Sequence, residues 1–200
     1  VVDQTNGRIP VVVNTGAHGT DLAIHYSQRA QTLGADALMI LPPAGGAGNS
    51  TEIRSYFTAI SNQVDIPIVV QDAGPGQVSP ALIRQINEES EQAKYCKVET
   101  PPTTSRIAET IKLTEGKIGV FGGAGGGFFL EELERGSTGT MPGPSQPESF
   151  VRVWNQFQSG KHDHARKIFY DEILPVLRIV AVSGELGAFH QVQKHILKHL

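Results

Sequence analysis

Short apolar runs alternate with longer amphipathic ones along most of this chain, and that alternation restricts the fold more than any other feature. Ile9-Pro10-Val11-Val12-Val13-Asn14 reads as a buried strand rich in β-branched residues. Thr20 or Asp21 then caps a helix to about Leu33, ended by Gly34. Ala37 to Leu41 is the next strand, closed by Pro42-Pro43, and Ser50 or Thr51 opens a helix to about Gln63. The same pattern gives strand Pro67 to Gln71, helix Ser79 to Glu89, strand Lys94 to Val98 and helix Thr103 to Thr114. Strand Lys117 to Phe121, helix Phe128 to Arg135 and a short strand Ser137 to Met141 complete the series.

Strand–helix units in succession demand a parallel sheet, because a parallel pair needs a crossover long enough to return the chain. The strands are short, evenly spaced and alike, which favours a (β/α)8 TIM barrel over an open doubly wound sheet. No Gly-x-Gly-x-x-Gly opens the first βα turn, which argues against dinucleotide binding. A barrel of this kind needs about 250 residues, so the 200 present are expected to lack its first two βα units. After Pro147 the strand pattern stops and helices are expected from Glu148 to Ser159, His162 to Val182, and Leu186 onward. Residues 1–147 thus read as barrel units and 148–200 as the last barrel helix with a C-terminal helical extension.

Within the fourth apolar run, Tyr95-Cys96-Lys97-Val98-Glu99-Thr100 holds a lysine where burial would penalise the ammonium. A lysine held neutral attacks ketones and gives a Schiff base. Glu99 is two residues on, hence on the same strand face, and a plain ion pair is the alternative reading. Cys96 points the other way by alternation and reads as packing. As the only cysteine, it admits no intrachain disulfide and suits a reducing, cytoplasmic setting.

Composition narrows the partners. A formal net charge of -3, with no Lys/Arg cluster, offers nucleic acid no electrostatic footprint. No apolar run reaches the ~20 residues of a membrane span. His162 and His164, spaced i, i+2, fall on different faces of a helix, so no metal is implied. His190, His195 and His199 read as surface or interface residues, and Trp154 as a core or helix contact.

Taken in order, Ile9 to Gly16, Gly34 to Ile40, Pro67 to Asp72, Tyr95 to Glu99, Gly119 to Gly123 and Leu133 to Met141 resemble the third to eighth βα units of the dihydrodipicolinate synthase / N-acetylneuraminate lyase family. The resemblance places Lys97 at that family's Schiff-base lysine. It also places Gln71, followed by Asp72, where family aldolases and synthases carry a proton-relaying tyrosine. A glutamine orients water or a hydroxyl but cannot exchange a proton as a phenol does. Val-Val-Gln-Asp, the Phe-Gly-Gly loop and Gly139-Thr140-Met141-Pro142 are similar to the branch that dehydrates 2-keto-3-deoxy sugar acids.

That resemblance implies imine formation at a substrate C2 carbonyl, loss of a C3 proton and expulsion of the C4 hydroxyl as water. From the five-carbon acid it implies 2-oxoglutarate semialdehyde. No cofactor is implied, since the imine is itself the electron sink. Glu99 and Asp72 are the expected carboxyl groups, although Asp72 before Ala73-Gly74-Pro75-Gly76 reads equally well as a turn aspartate. Gln71 is expected to position the leaving hydroxyl. Gly122 and Gly123 can bring backbone donors to the substrate carboxylate, with a flexible linker over Gly122–Gly127 as the alternative. Pro42 and Thr140 are taken as substrate contacts, and Ala44–Gly48 as a lid or turn. A small 2-keto acid substrate and a homo-oligomer, a tetramer by resemblance, are the expected partners. A pyruvate-dependent aldolase or lyase of the same family, and a non-catalytic small-acid-binding barrel, remain the alternatives.

Overall fold

The computed structural model describes residues 1–43, 49–74, 76–183 and 187–199. The expected lid, Ala44–Gly48, and Leu186, where the last helix was expected to open, lie outside them. Six strands, β1 (Val12–Asn14), β2 (Ala37–Ile40), β3 (Ile68–Asp72), β4 (Ala93–Val98), β5 (Gly119–Gly122) and β6 (Gly139–Thr140), form one sheet in chain order. Every neighbouring pair is parallel. Between them run α2 (Thr20–Thr32), α3 (Ser50–Ser61), α4 (Pro80–Glu89), α5 (Thr103–Leu113) and α6 (Phe129–Leu133), after a one-turn α1 (Val2–Thr5) that the sequence pattern did not suggest.

Strand alternation sorts the sheet into two faces. Leu38, Ile40, Ile68, Val70, Cys96, Val98 and Val120 share one core with Ile53, Phe57, Ile60, Ile83, Ile86 and Ile107 from the helices. Burying aliphatic side chains of this size contributes roughly 1.5–3 kcal/mol each, so this face carries most of the fold's stability. The opposite face presents Met39, Val69, Gln71, Tyr95, Lys97 and Phe121, alternating with the core residues. Cys96 is fully buried on the helix-covered face, as alternation required, and burial pushes its thiol pKa up. It is therefore expected to resist iodoacetamide in the folded protein and to react at once in urea, read by mass spectrometry.

Three departures from the sequence pattern have local causes. β1 is shorter than the apolar run Ile9–Asn14 because Pro10 donates no hydrogen bond and the Val11 N–H is taken by Asp36 Oδ2 at 2.7 Å. The helix after β2 is capped by Asn49, whose Oδ1 accepts from Thr51 N and Glu52 N at 3.1 and 3.2 Å. The single helix expected over His162–Val182 divides into α8 (His162–Ile168), a π-helical turn (Phe169–Ile173) and α9 (Leu174–Ser183). Pro175 explains the break, since its ring cannot follow a regular turn over the Asp171 carbonyl. Gln146 Nε2 donates to the neighbouring Glu172 carbonyl at 2.7 Å.

α7 (Pro147–Gln158), α8 and the π turn assemble a second core of Phe150, Val153, Ala165, Phe169 and Ile173, to which α6 adds Phe129, Leu130 and Leu133. The final helix, α10 (Ala188–His199), reaches back to the loops after β5 and β6. Gln193 Oε1 accepts from Ser145 N at 3.0 Å, and Phe189 lies against Gly125 and Gly143. No helix among the described residues is long and apolar enough to cross a membrane.

Candidate active site

Parallel register builds the site. Gln71 on β3 pairs with Lys97 on β4, and Lys97 with Phe121 on β5, so all three side chains leave the sheet on the same face. Glu99, just beyond the end of β4, returns to that face. Its Oε1 lies 3.0 Å from Lys97 Nζ and its Oε2 accepts from Gln71 Nε2 at 2.6 Å. The Ala124 N–H donates to Oε1 as well, at 3.3 Å. An ion pair to the amine and a hydrogen bond from the amide thus meet on one carboxylate at the carboxyl ends of adjacent strands. Lys97 is only 9% exposed, and Tyr95 and Phe121, with ring centroids 5.9 Å apart, supply apolar surface on its face. The expected pairing of Lys97 with Glu99 is present, and Gln71 joins them.

Asp72 does not. It follows Gln71 by one residue, so it emerges on the helix-covered face, where it is fully buried. Its Oδ1 accepts from Val78 N at 2.8 Å and Thr100 Oγ1 at 2.7 Å, while Oδ2 accepts from Arg106 Nε and Nη2 at 3.0 and 2.8 Å. Its two oxygens are thus engaged by the turns after β3 and β4 and by Arg106 of α5. The aspartate rule that suggests a turn residue describes it better than a proton carrier. Arg106, which also donates to the Val78 carbonyl at 2.8 Å, was not anticipated. Its partner lies 34 residues away in sequence, beyond any local pattern.

The glycines after β5 are constrained by carboxylates. A Cβ on Gly123 would stand 2.2 Å from Glu99 Cγ, so only glycine leaves room for the glutamate in its observed place. A Cβ on Gly122 would stand 1.7 Å from Glu132 Oε2 on the other face. The segment is no flexible linker, since Ala124–Gly126 forms a 3-10 turn closed by Gly126 N donating to the Gly123 carbonyl at 2.8 Å. The Gly122 carbonyl is likewise engaged, accepting from Met141 N at 3.0 Å.

Thr140 registers with Gly122 and therefore points to the helix side. It lines a groove of about 190 Å³ with Phe129, Phe150 and Trp154 rather than the face that carries Lys97. Pro42 borders a separate cavity of about 300 Å³ with Asn14, Gly16, His18 and Leu41. A further cavity, about 590 Å³, lies between the β1–α2 loop and α3, against His18, Glu52 and Tyr56. Among the described residues that line this cavity there is no lysine. Among the described residues no three His, Cys, Asp or Glu side chains converge as a metal-ligand set.

Residues 1–195 match the sequence profile of the dihydrodipicolinate synthetase family. The chain is 34% identical over 172 residues to L-2-keto-3-deoxyarabonate dehydratase of Azospirillum brasilense, covering 82% of this chain and 55% of that protein. It is 26% identical to 4-hydroxy-tetrahydrodipicolinate synthase of Methanococcus vannielii over 92% of this chain and 63% of that one. It therefore spans between about half and two thirds of the length of these relatives. The crystal structure of dihydrodipicolinate synthase from Rhodopseudomonas palustris superposes with a TM-score of 0.85 at 26% identity, over 98% of this chain and 66% of that one. The 2-keto 3-deoxygluconate aldolase of Picrophilus torridus gives 0.84 at 16% identity, covering 98% and 72%, and attests the fold alone. With its parallel sheet, its strand-borne lysine and a profile match over nearly its whole length, the chain belongs to the dihydrodipicolinate synthetase family.

Proposed function

We propose that this protein is a Schiff-base-forming hydro-lyase that dehydrates a 2-keto-3-deoxy sugar acid, with Lys97 as the nucleophile. The observation that carries the reading is the chain Lys97–Glu99–Gln71, in which one carboxylate touches both the amine and an amide on the same sheet face. Glu99 takes the proton that the Lys97 ammonium must shed. The amine adds to the C2 carbonyl, water leaves, and the iminium acidifies the C3 hydrogens. Removal of one gives an enamine, which expels the C4 hydroxyl as it is protonated. Tautomerisation and hydrolysis release the keto-aldehyde product and return the amine, with one water lost overall. Each proton transfer assisted in this way gains roughly 10²–10⁴-fold. Glu99 is the carboxylate in reach for these steps, and Gln71 is placed to orient the departing hydroxyl.

The sheet is read as six of the eight strands of a TIM barrel, with the lysine at its catalytic carboxyl end. A cytoplasmic homotetramer without cofactor is the form in which we expect it to act. Similarity to the arabonate dehydratase of Azospirillum brasilense supports a five-carbon 2-keto-3-deoxy acid as the first substrate to try. Incubation with 2-keto-3-deoxy-L-arabonate is expected to yield 2-oxoglutarate semialdehyde, seen by proton NMR as an aldehyde within an unbroken carbon chain. Pyruvate plus a two-carbon aldehyde would replace dehydration by retro-aldol cleavage.

A further inference from the structure

Two buried carboxylates on the helix side flank the turn that carries Glu99. Asp72 holds it through Thr100. Glu132, on α6, holds it through Thr103, whose hydroxyl donates to Glu132 Oε1 at 2.8 Å. Glu132 is fully buried, its Oε2 has no hydrogen-bond partner, and that oxygen occupies the space a Gly122 side chain would fill. Gly122 leads directly into Gly123, against which Glu99 packs, and Ala124, whose N–H binds Glu99. Glu132 thus touches both segments that fix the glutamate, the β4 exit through Thr103 and the β5 exit through Gly122. Nothing in the proposed reaction uses it, and a buried carboxyl with one idle oxygen costs stability.

We infer that Glu132 is a positioning residue that, in its neutral form, holds the β4 and β5 exits so that Glu99 meets Lys97. The inference builds on the proposed lysine chemistry. Ionisation would place a charge on an oxygen without a partner, and the site would relieve it by admitting water or shifting Gly122 and Thr103. Burial raises the Glu132 carboxyl to about 7, the Thr103 hydroxyl opposing and the Glu131 charge assisting. Among the described residues no lysine or arginine is paired with it. Arg106 on α5 is bound to Asp72 and Val78, Gly122 on β5 carries no charge, and the core behind α6 is Phe129, Leu130, Leu133, Phe150 and Val153. Because the folded-state value lies above the ordinary 4.5, stability linked to the neutral form is complete below about 4.5 and declines as pH rises through about 7.

The test compares the protein with its Glu132→Gln and Thr103→Val variants across pH 5.5–9, reading turnover and reductive methylation of Lys97 by formaldehyde and cyanoborohydride. Methylation needs an accessible amine in its free-base form and no substrate, so it reports how Glu99 meets Lys97 independently of turnover. The protein itself is expected to show a break near pH 7 in both readouts, with kcat falling on the alkaline side and KM changed less than about twofold. Glu132→Gln, which cannot ionise, removes the break and exceeds the parent kcat at pH 8 by about threefold or more. Thr103→Val, which deletes the opposing hydroxyl, moves the break to higher pH and supplies the answer should the glutamine variant fold poorly. Profiles of the protein and both variants that superimpose would overturn the inference. Absent turnover with the methylation break intact would sink the dehydratase reading and leave the positioning role standing.

Discussion

Replacing Lys97 with alanine is expected to lower kcat for dehydration by more than about 10³-fold, the largest functional effect in the molecule. In the proposed reaction the iminium is the electron sink, and among the described residues Met39, Val69, Gln71, Tyr95 and Phe121 on that sheet face offer no second amine. Gln71 and Glu99 can orient groups and move protons, but neither condenses with a ketone. The loss should fall on kcat, because the imine forms after binding. The fold should survive. Glu99, deprived of the ammonium, keeps hydrogen bonds from Gln71 Nε2 and Ala124 N and is partly open to water. Steady-state kinetics with a coupled aldehyde assay, beside circular dichroism of the same sample, separates chemistry from folding. Arginine at position 97 should be as inactive as alanine, since a guanidinium retains the charge and lacks the nucleophile.

Asp72→Ala should instead act on stability. Asp72 is fully buried, and its Arg106 partner is partly so. Removing one member of such a pair typically costs about 3–5 kcal/mol, because the other is left as an uncompensated charge. Total stabilities of 5–15 kcal/mol are usual, so the urea midpoint should fall by a large fraction. Adding Arg106→Met to Asp72→Ala should recover part of the loss, giving a coupling energy in the double-mutant cycle. The folded Asp72→Ala protein should still form an imine. An unchanged midpoint together with a lost imine would show the aspartate to be part of the chemistry after all.

These two side chains mark how far a sequence reading reaches. Lys97 and Glu99 were legible because two residues of strand put them on one face, and both β-pairing and burial enforce that rule. The same rule, applied to Cys96, correctly sent the thiol into the core. Applied to Asp72, one residue past Gln71, it would have sent that carboxylate to the helix side too. Family resemblance points to Asp72 as a site carboxylate, whereas the strand period and the turn that follows it do not. Of its partners Val78 is local, six residues on, whereas Thr100 and Arg106 lie 28 and 34 residues away and are brought near by the pairing of β3 with β4.

The glycines tell a similar story. Gly122 and Gly123 stood out as a loop that could approach a ligand, yet what approaches them is Glu132 on one face and Glu99 on the other. A glycine's sequence position records that space is needed and says nothing about which side chain takes it. The strand–helix series was readable because every unit buries one apolar sheet face under one helix stripe. The break in the C-terminal helix has its signal in Pro175, which a helix accepts in its first turn but not in its interior.

Borohydride reduction in the presence of pyruvate, followed by peptide mass spectrometry, tests the central chemistry most directly. One carboxyethyl group per chain is expected, on the peptide containing Lys97 and nowhere else, and none in the Lys97→Ala protein. An unmodified Lys97 peptide, or an adduct on another lysine that persists in that variant, would contradict it.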